Sequence, residues 1–156
     1  MVTDTGVLQG LRVVEIADEQ AAHAGLSLAS LGASVVKVEP TAGSSTRRIG
    51  PFFGDTPDPE RSIFFWQHNR GKQSIVLDPA SAADVETLQE LIARADVLLV
   101  SGWDYAVYSS LPGLDKDALL AANPRLVIAR MTPFGDDGPW PASAPTTSFT
   151  WPSAAR

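Results

Sequence analysis

The chain has 156 residues, an apolar fraction of 44%, a charged fraction of 19% and a net charge of −6, values typical of one globular domain. No apolar run approaches the roughly 20 residues of a membrane-spanning helix, and the acidic balance disfavours a nucleic-acid-binding surface. The chain has no cysteine and therefore no disulfide, and it starts with no secretory signal, so we expect a cytoplasmic protein. We expect neither a membrane nor a nucleic acid as a partner.

The first predicted unit is a β-strand, an α-helix and a second β-strand. Residues 11–17 are a β-branched run without helical spacing, typical of a strand buried on both faces. The apolar residues that then recur at helical intervals are Ala24, Leu28 and Leu31. Gly32 supplies a helix stop because it lacks a Cβ atom, and the strand pattern resumes at residues 35–38. A crossover of this kind requires a parallel sheet.

A long irregular stretch follows at residues 40–69, where glycine and proline interrupt any regular element. Its aromatic residues argue against disorder, because disordered segments are poor in aromatics. We expect residues 62–67 to form a short helix or an extended piece packed on the sheet edge.

Strands and helices alternate in the next part of the chain. Further strands are predicted at residues 73–78, 96–100 and 126–129. Ser81 and Asp84 resemble a capping box with Asp in place of Glu, and open a helix that runs to about Arg94. A shorter helix has Asp115 as its N-cap and ends near Asn123 because a proline follows. The alternation predicts an α/β fold with an open, doubly wound, Rossmann-like and mostly parallel sheet flanked by helices.

The regular pattern stops at Thr132. Residues 133–156 contain five prolines and large aromatic side chains without a recognisable element. Such an end exposes aromatics unless another segment or subunit covers them, so we expect a fragment or an assembly.

The strand ends are where an open parallel sheet binds ligands, near the point where the strand order reverses. A dinucleotide site needs glycines in the first turn and an acid after the second strand. Glu39 meets the second requirement, but the first turn contains Asp18 and Glu19 and no glycine. We therefore expect no NAD site, and interpret Glu39 as a strand-end acid that makes local hydrogen bonds.

Other chemical motifs are sparse. His23 and His68 have no metal ligands at suitable spacing, so we expect no metal and interpret His23 as a helix-face residue. Basic residues cluster at positions 47–48 and 70–72, where they either hold a small anion such as a phosphate or are solvated loop charges. One of the 18 acidic residues could act as a carboxylate nucleophile, but composition does not identify which one.

Seven segments in uninterrupted order between residues 11 and 139 form a recognisable series. They are residues 11–15 (LRVVE), 31–40 (LGASVVKVEP), 50–52 (GPF), 69–78 (NRGKQSIVLD), 95–97 (ADV), 123–127 (NPRLV) and 134–139 (FGDDGP). The series closely resembles the family III CoA-transferases (CaiB/BaiF-like), which include formyl-CoA transferase, carnitine CoA-transferase and α-methylacyl-CoA racemase. The order of the segments, rather than any single motif, makes the resemblance specific.

This resemblance implies a Rossmann-like large domain that binds coenzyme A or acyl-CoA at its strand ends, in longer proteins that form interlocked dimers. It implies that Gln20 lies near the pantetheine or thioester, Arg47 and Lys72 near the CoA phosphates or the adenine ribose, and Trp103 against the adenine, with Phe134 as a further CoA-binding residue. A second interpretation of Trp103 is a core aromatic at the start of a helix.

The chain departs from the family pattern at three places. Residues 21–23 are Ala-Ala-His where most members have Ala-Gly-Pro, and residues 101–103 are Ser-Gly-Trp where most have Glu-Asn-Phe. The family's transferases use an aspartate nucleophile after the FGxxGP segment, and the corresponding position here is Thr147. A threonine hydroxyl cannot form the mixed anhydride of that reaction.

The resemblance therefore implies the CoA-binding N-terminal half of a family III CoA-transferase-like protein, which acts on an acyl-CoA and a carboxylic acid and is inactive by itself. We divide the chain into an N-terminal extension (1–10), an incomplete Rossmann-like CoA-binding domain (11–139) and an irregular, truncated tail (140–156). A homodimer or a missing C-terminal half is expected. The alternative is a stand-alone Rossmann-like module for acyl-CoA binding or assembly, and the reading frame beyond Arg156 would discriminate between the two.

Overall fold

The computed structural model describes residues 6–132, apart from the side chain of Trp103. The strands in this range are β1 (Arg12–Ile16), β2 (Ser34–Glu39), β3 (Gln73–Val76), β4 (Val97–Ser101) and β5 (Val127–Met131). The α-helices are α1 (Glu19–Ser30), α2 (Ile63–His68), α3 (Ala82–Ala93), α4 (Gly102–Ala106) and α5 (Lys116–Ala122). Short 3₁₀ helices at Ser45–Arg48, Phe53–Asp55 and Pro59–Arg61 lie between β2 and α2.

The five described strands form one parallel sheet in the order β3-β2-β1-β4-β5. The chain builds β2 and β3 on one side of β1, then returns past β1 to build β4 and β5 on the other side. The strand order therefore reverses between β1 and β4. Val14 lies opposite both Val36 and Leu98, so these three strands run side by side to one carboxyl edge. The predicted open, parallel α/β fold is confirmed.

Apolar layers cover both faces of the sheet, because successive side chains of a strand point to opposite faces. Val14 and Ile16 pack with the buried faces of α3 and α5. Val13 and Ala17 point the other way and pack beneath α1. All four are at most 3% exposed. β1 is thus buried on both faces, as its β-branched run predicts.

Small residues bring α1 close to the sheet. Its fully buried residues are Ala21, Ala22 and Gly25, while Ala24 and Leu28 of the predicted apolar face are partly buried and pack against the same core. Leu31 is 46% exposed, so its prediction as a residue of that face is wrong. It is the C-cap residue beyond the last helical turn. Gly32 then ends the helix with a φ of +99°, as predicted.

The region between β2 and β3 is ordered through side-chain caps and short turns. Ser62 Oγ accepts a hydrogen bond from the Phe65 N–H at 3.0 Å and donates one to Ile49 O at 2.6 Å. Of the two forms predicted for residues 62–67, a short helix or an extended piece, the structure has the helix, shifted by one residue. α2 packs against α1 and the first 3₁₀ helix.

Both predicted N-caps are present. Asp115 Oδ1 accepts from the Ala118 N–H at 2.9 Å, and Ser81 Oγ accepts from the Asp84 N–H at 3.3 Å. The reciprocal half of the capping box differs, because the Asp84 carboxylate accepts from the Asp78 N–H at 2.8 Å instead of from Ser81. The Ser81 N–H donates to Asp78 O. Asp84 therefore stabilises the turn after β3.

One helix, α4, is absent from the predicted elements, although the second interpretation of Trp103 places that residue at a helix start. Its five residues begin directly after β4 and are too short to show a helical spacing of apolar residues. At the other end of the described range, Leu8 packs beneath α1, and its N–H donates to Leu31 O at 2.9 Å. The predicted domain boundaries stay predictions. None of the helices within residues 6–132 is long and apolar enough to cross a membrane.

Candidate functional site

The candidate site is the sheet edge at the carboxyl ends of β1, β2 and β4, where the strand order reverses. Three segments of the chain leave the sheet at this edge. They are the turn from β1 into α1, the 3₁₀ helix Ser45–Arg48 after β2, and α4 after β4. We call this region the carboxyl edge. Hydrogen bonds between side chains connect the three segments and fix their relative positions.

Asp18 holds the first turn of α1 against the end of β4. Its Oδ1 accepts from the Gln20 N–H at 3.1 Å, as an N-cap does, and from Ser101 Oγ at 2.7 Å. Gly102 permits this approach, because a Cβ atom there would overlap the Asp18 carboxylate. Gly102 also has a φ of +51°, which glycine adopts without strain.

Asp104 connects α4 with the segment after β2. This residue is 3% exposed, and its Oδ2 accepts from Ser44 Oγ at 2.5 Å. Its Oδ1 accepts from the Ser45 N–H at 3.0 Å. Partial burial, together with the charges of Asp18 and Asp104, raises the pKa of Glu19 against the effect of a backbone hydrogen bond. The part of the edge between β1 and β4 is thus rich in carboxylates.

Glu39 organises the end of β2. Although it is 1% exposed, its carboxylate accepts from Arg47 Nε at 2.6 Å, Arg47 Nη2 at 2.9 Å and Ser74 Oγ at 2.5 Å. Burial by itself would raise the pKa of Glu39. The hydrogen bonds from Arg47, Ser74 and the Ser44 N–H, together with the charge of Arg47, outweigh burial and lower the pKa to about 2. The interpretation of Glu39 as a strand-end acid with local hydrogen bonds is confirmed.

Arg47 is a held cation rather than a solvated loop charge. Its side chain is 18% exposed, and its Cζ lies 3.8 Å from the centre of the Phe65 ring. Its Nη1 donates to Glu60 Oε1 at 3.0 Å, in addition to the two bonds to Glu39. Two carboxylates and an aromatic face therefore fix the guanidinium beside the carboxyl edge.

A second polar group, which we call the buried triad, consists of Glu15, Lys37 and Lys72. The three side chains are at most 1% exposed. Lys37 Nζ and Lys72 Nζ both donate to Glu15 Oε1, at 3.1 and 2.9 Å, and Lys72 Nζ lies 2.7 Å from Oε2. Burial lowers the pKa of Lys72, and the charge of Lys37 adds to this effect against the opposing influence of Glu15.

The structure brings some of the predicted site residues to one edge. Gln20 is exposed in the first turn of α1, Arg47 follows β2, and Trp103 is the second residue of α4 after β4. Trp103 lies at the start of α4, and its interpretation as a core aromatic stays a prediction. Lys72 differs, because it precedes β3 and its ammonium lies in the buried triad beneath α1. Phe134 and Thr147 lie outside the described residues, so their roles stay predictions.

His23 and His68 are neighbours in space, although they lie far apart in the sequence, on α1 and α2. The contact between α1 and α2 brings their ring centroids to 6.3 Å in an edge-on arrangement. His23 is exposed on α1, which agrees with its interpretation as a helix-face residue. In the part of the chain that the structure describes, no group of three or more His, Cys, Asp or Glu side chains is arranged to hold a metal ion.

Sequence reasoning missed the buried triad and Asp104. A signal for the triad existed, because Glu15 and Lys37 are single charged residues inside the apolar runs of two neighbouring strands. A charge in a strand buried on both faces requires a partner. Asp104 gave no such signal, since its contacts with Ser44 and Ser45 join residues about 60 positions apart.

Comparison with known proteins gives matches over most of the chain. The model of CoA-transferase family III matches residues 8–148. The chain is 37% identical over 137 residues to a succinate–glutarate CoA-transferase of Agrobacterium fabrum, and the match covers 85% of this chain and 34% of that protein. It is 34% identical over 140 residues to a cinnamoyl-CoA:phenyllactate CoA-transferase of Clostridium sporogenes, covering 89% of this chain and 34% of that protein.

The fold is also similar to a solved structure of a related protein. A CaiB/BaiF family protein from Brucella suis superposes with a TM-score of 0.76 at 35% sequence identity, over 90% of this chain and 37% of that one. The chain thus spans about a third of the length of the curated relatives it matches.

Proposed function

The chain belongs to CoA-transferase family III, and from this premise we propose that it supplies the CoA-binding part of a protein that transfers CoA between an acyl-CoA and a carboxylic acid. The family match over residues 8–148 is the observation that carries the proposal. The reversal of strand order between β1 and β4 supports a ligand site at the carboxyl edge. Because the chain spans about a third of its relatives, the activity of the whole protein is part of the proposal.

The charges at the carboxyl edge favour one orientation of CoA. Asp18 and Asp104 repel phosphate groups near the junction of β1 and β4, whereas beside β2 the guanidinium of Arg47 offsets part of the charge of Glu39 and Glu60. We therefore assign the CoA phosphates or the ribose to the side of Arg47. Gln20 has an exposed amide that can donate to and accept from the amide groups of pantetheine. Trp103 would stack on the adenine, and Phe134 would be a further contact.

The substrates are proposed from the family chemistry. The relatives' names refer to succinate, glutarate and phenyllactate, which are carboxylic acids, and to cinnamoyl-CoA, which is an acyl thioester. We propose an acyl-CoA donor and a carboxylic acid acceptor of the same kind, in a cytoplasmic protein. A homodimer or a further half of the polypeptide would complete the large domain.

We expect the chain by itself not to catalyse CoA transfer. The family's nucleophile is an aspartate, and Thr147 stands at the corresponding position. A hydroxyl that attacks an acyl thioester yields an ester, which cannot pass its acyl group on as an anhydride does. This substitution favours a second candidate function, a CoA-binding or assembly module without transferase chemistry of its own.

Titration calorimetry with CoA tests the proposed site. We expect the protein to bind CoA, and Trp103→Ala to weaken binding about tenfold, because stacking of a base on an aromatic ring contributes about 1–3 kcal/mol. Trp66→Ala is the matched control, since Trp66 is 46% exposed on α2 and is not a residue of the proposed site. If neither the chain nor the intact natural polypeptide binds CoA, the site assignment is wrong.

A further inference from the structure

The buried triad has an unbalanced charge inside the protein. One carboxylate, Glu15, faces two ammonium groups, Lys37 and Lys72, so the three side chains sum to one positive charge. Burying charged groups costs several kcal/mol each, and well-packed apolar residues of similar size are often as stable. Stability alone therefore does not account for this arrangement, and the other contacts of the two lysines become informative.

Each ammonium of the triad also donates to a backbone carbonyl near the candidate site. Lys37 Nζ donates to Ala17 O at 2.6 Å, at the end of β1. Lys72 Nζ donates to Ala22 O at 3.2 Å, in the first turn of α1. The triad thus connects the two ends of the β1–α1 turn, and this turn contains Asp18 and Gln20.

The fit of α1 over the triad is close. A Cβ atom at Gly25 would overlap the Glu15 carboxylate and would lie 2.9 Å from Lys72 Nζ. The helix therefore rests directly on the charged groups, with no space for a larger side chain. On its other side, Asp18 fixes the same turn to Ser101 at the end of β4. The position of the turn is determined by these two sets of contacts.

We propose that Lys72 is a positioning residue for the ligand: it holds the first turn of α1, and with it Gln20, at the carboxyl edge, and it makes no contact with a CoA phosphate. The inference rests on the proposed CoA site and assigns to Lys72 a role different from that implied by the family resemblance. Since Lys72 Nζ is bonded to Glu15 and to Ala22 O and its side chain is 1% exposed, it acts on the ligand through the turn.

Lys72→Met in the intact natural polypeptide tests this role. Removal of Lys72 leaves Glu15 and Lys37 as a neutral pair, so we expect the variant to fold. Lys72→Gln, which retains a hydrogen-bond donor, is the second variant. Arg70→Met is the matched control, because it removes one positive charge from the same loop. Arg70 is exposed, and its Nε donates a long hydrogen bond of 3.4 Å to Gln67 O.

The probes are CoA and pantetheine, which lacks the nucleotide phosphates. We expect Lys72→Met to weaken the binding of both by the same factor, about tenfold, because the displaced turn carries the pantetheine contact. Amide hydrogen exchange in residues 19–22 should become faster in Lys72→Met and stay unchanged in Arg70→Met. Both results together support the positioning role.

Weaker binding of CoA with unchanged binding of pantetheine would overturn the inference and indicate a direct phosphate contact. Unchanged hydrogen exchange in residues 19–22 would overturn it as well. If the wild-type protein binds neither probe, the proposed CoA site is wrong, and the exchange rates still decide whether Lys72 holds the turn.

Discussion

At the scale of single residues, the carboxyl edge is built from buried carboxylates that each satisfy several donors. Asp18, Glu39 and Asp104 are at most 3% exposed, and each accepts hydrogen bonds from a segment other than its own. A buried carboxylate without such donors would be protonated or expelled to the surface. These residues therefore determine how the loops after the strands are arranged, and their substitution has measurable consequences.

Glu39 should make stability depend on pH. Its folded-state pKa of about 2 lies below its ordinary value of 4.5, so the stabilisation is complete above about pH 4.5 and is lost as the pH falls towards 2. We expect Glu39→Gln to lower the free energy of unfolding at pH 7 by about 2–3 kcal/mol, and to flatten its pH dependence between 4.5 and 2. Urea unfolding at several pH values measures both effects.

Glu60→Gln is the control for Glu39→Gln, because Glu60 also bonds Arg47 but has a side chain that is 79% exposed. Exposed ion pairs contribute little, so the control should change the free energy of unfolding by less than about 0.5 kcal/mol. Equal losses in the two variants would contradict the account of Glu39.

Gly102 should tolerate no side chain. Gly102→Ala places a Cβ atom on the Asp18 carboxylate at a φ of +51°, so we expect a loss of about 3 kcal/mol in the free energy of unfolding. Gly10→Ala separates the backbone effect from the steric one, because Gly10 has a φ of +90° and open space around it. Its loss should be about 1 kcal/mol by urea unfolding. Similar losses in the free energy of unfolding for Gly102→Ala and Gly10→Ala would contradict this prediction, because they would show that the Asp18 side chain moves away from the new Cβ atom at little cost.

At the scale of elements, short-range chemistry predicted most starts and stops, because caps and helix stops act within a few residues. Ser62, Ser81 and Asp115 cap the helices that the sequence predicts, and Gly32 ends α1. The apolar face of α1 was predicted less well. Spacing alone cannot tell that Ala21 and Gly25, rather than Leu31, lie against a sheet at close range.

Asp115 should stabilise α5 as its N-cap. We expect Asp115→Ala to lower the free energy of unfolding by about 1 kcal/mol, because the Ala118 N–H loses its acceptor at 2.9 Å. Asp117→Ala is the control, since Asp117 lies in the same first turn and makes only the favourable interaction with the helix dipole. Its effect in urea unfolding should be smaller. A larger effect for Asp117 would contradict the assignment of the cap.

At the scale of the whole molecule, the chain that contains the sheet and its carboxyl edge spans about a third of the length of the curated relatives. The family resemblance implies that Thr147 stands where the family's transferases have a nucleophilic aspartate, and this correspondence stays a prediction. If this correspondence holds, the chain has a proposed site for CoA without the carboxylate that would accept the acyl group.

The purified chain should consequently exchange no CoA between an acyl-CoA and a free carboxylic acid. An assay with isotopically labelled CoA thioesters measures this exchange, and the succinate–glutarate CoA-transferase of Agrobacterium fabrum, assayed in parallel, shows that the conditions support transfer. Any turnover by the purified chain would contradict this prediction, and turnover that Thr147→Val leaves unchanged would show that another group supplies the nucleophile.

Local spacing and the order of short segments were sufficient to predict the alternation of strands and helices, the parallel sheet, the capped helix ends and the family. The contacts between residues that are distant in the sequence could not be predicted in this way. Lys72 and Glu15 are 57 positions apart, and Ser44 and Asp104 are 60 apart. Their contacts follow from the strand order β3-β2-β1-β4-β5, and the period of a strand or a helix carries no information about the order in which strands assemble.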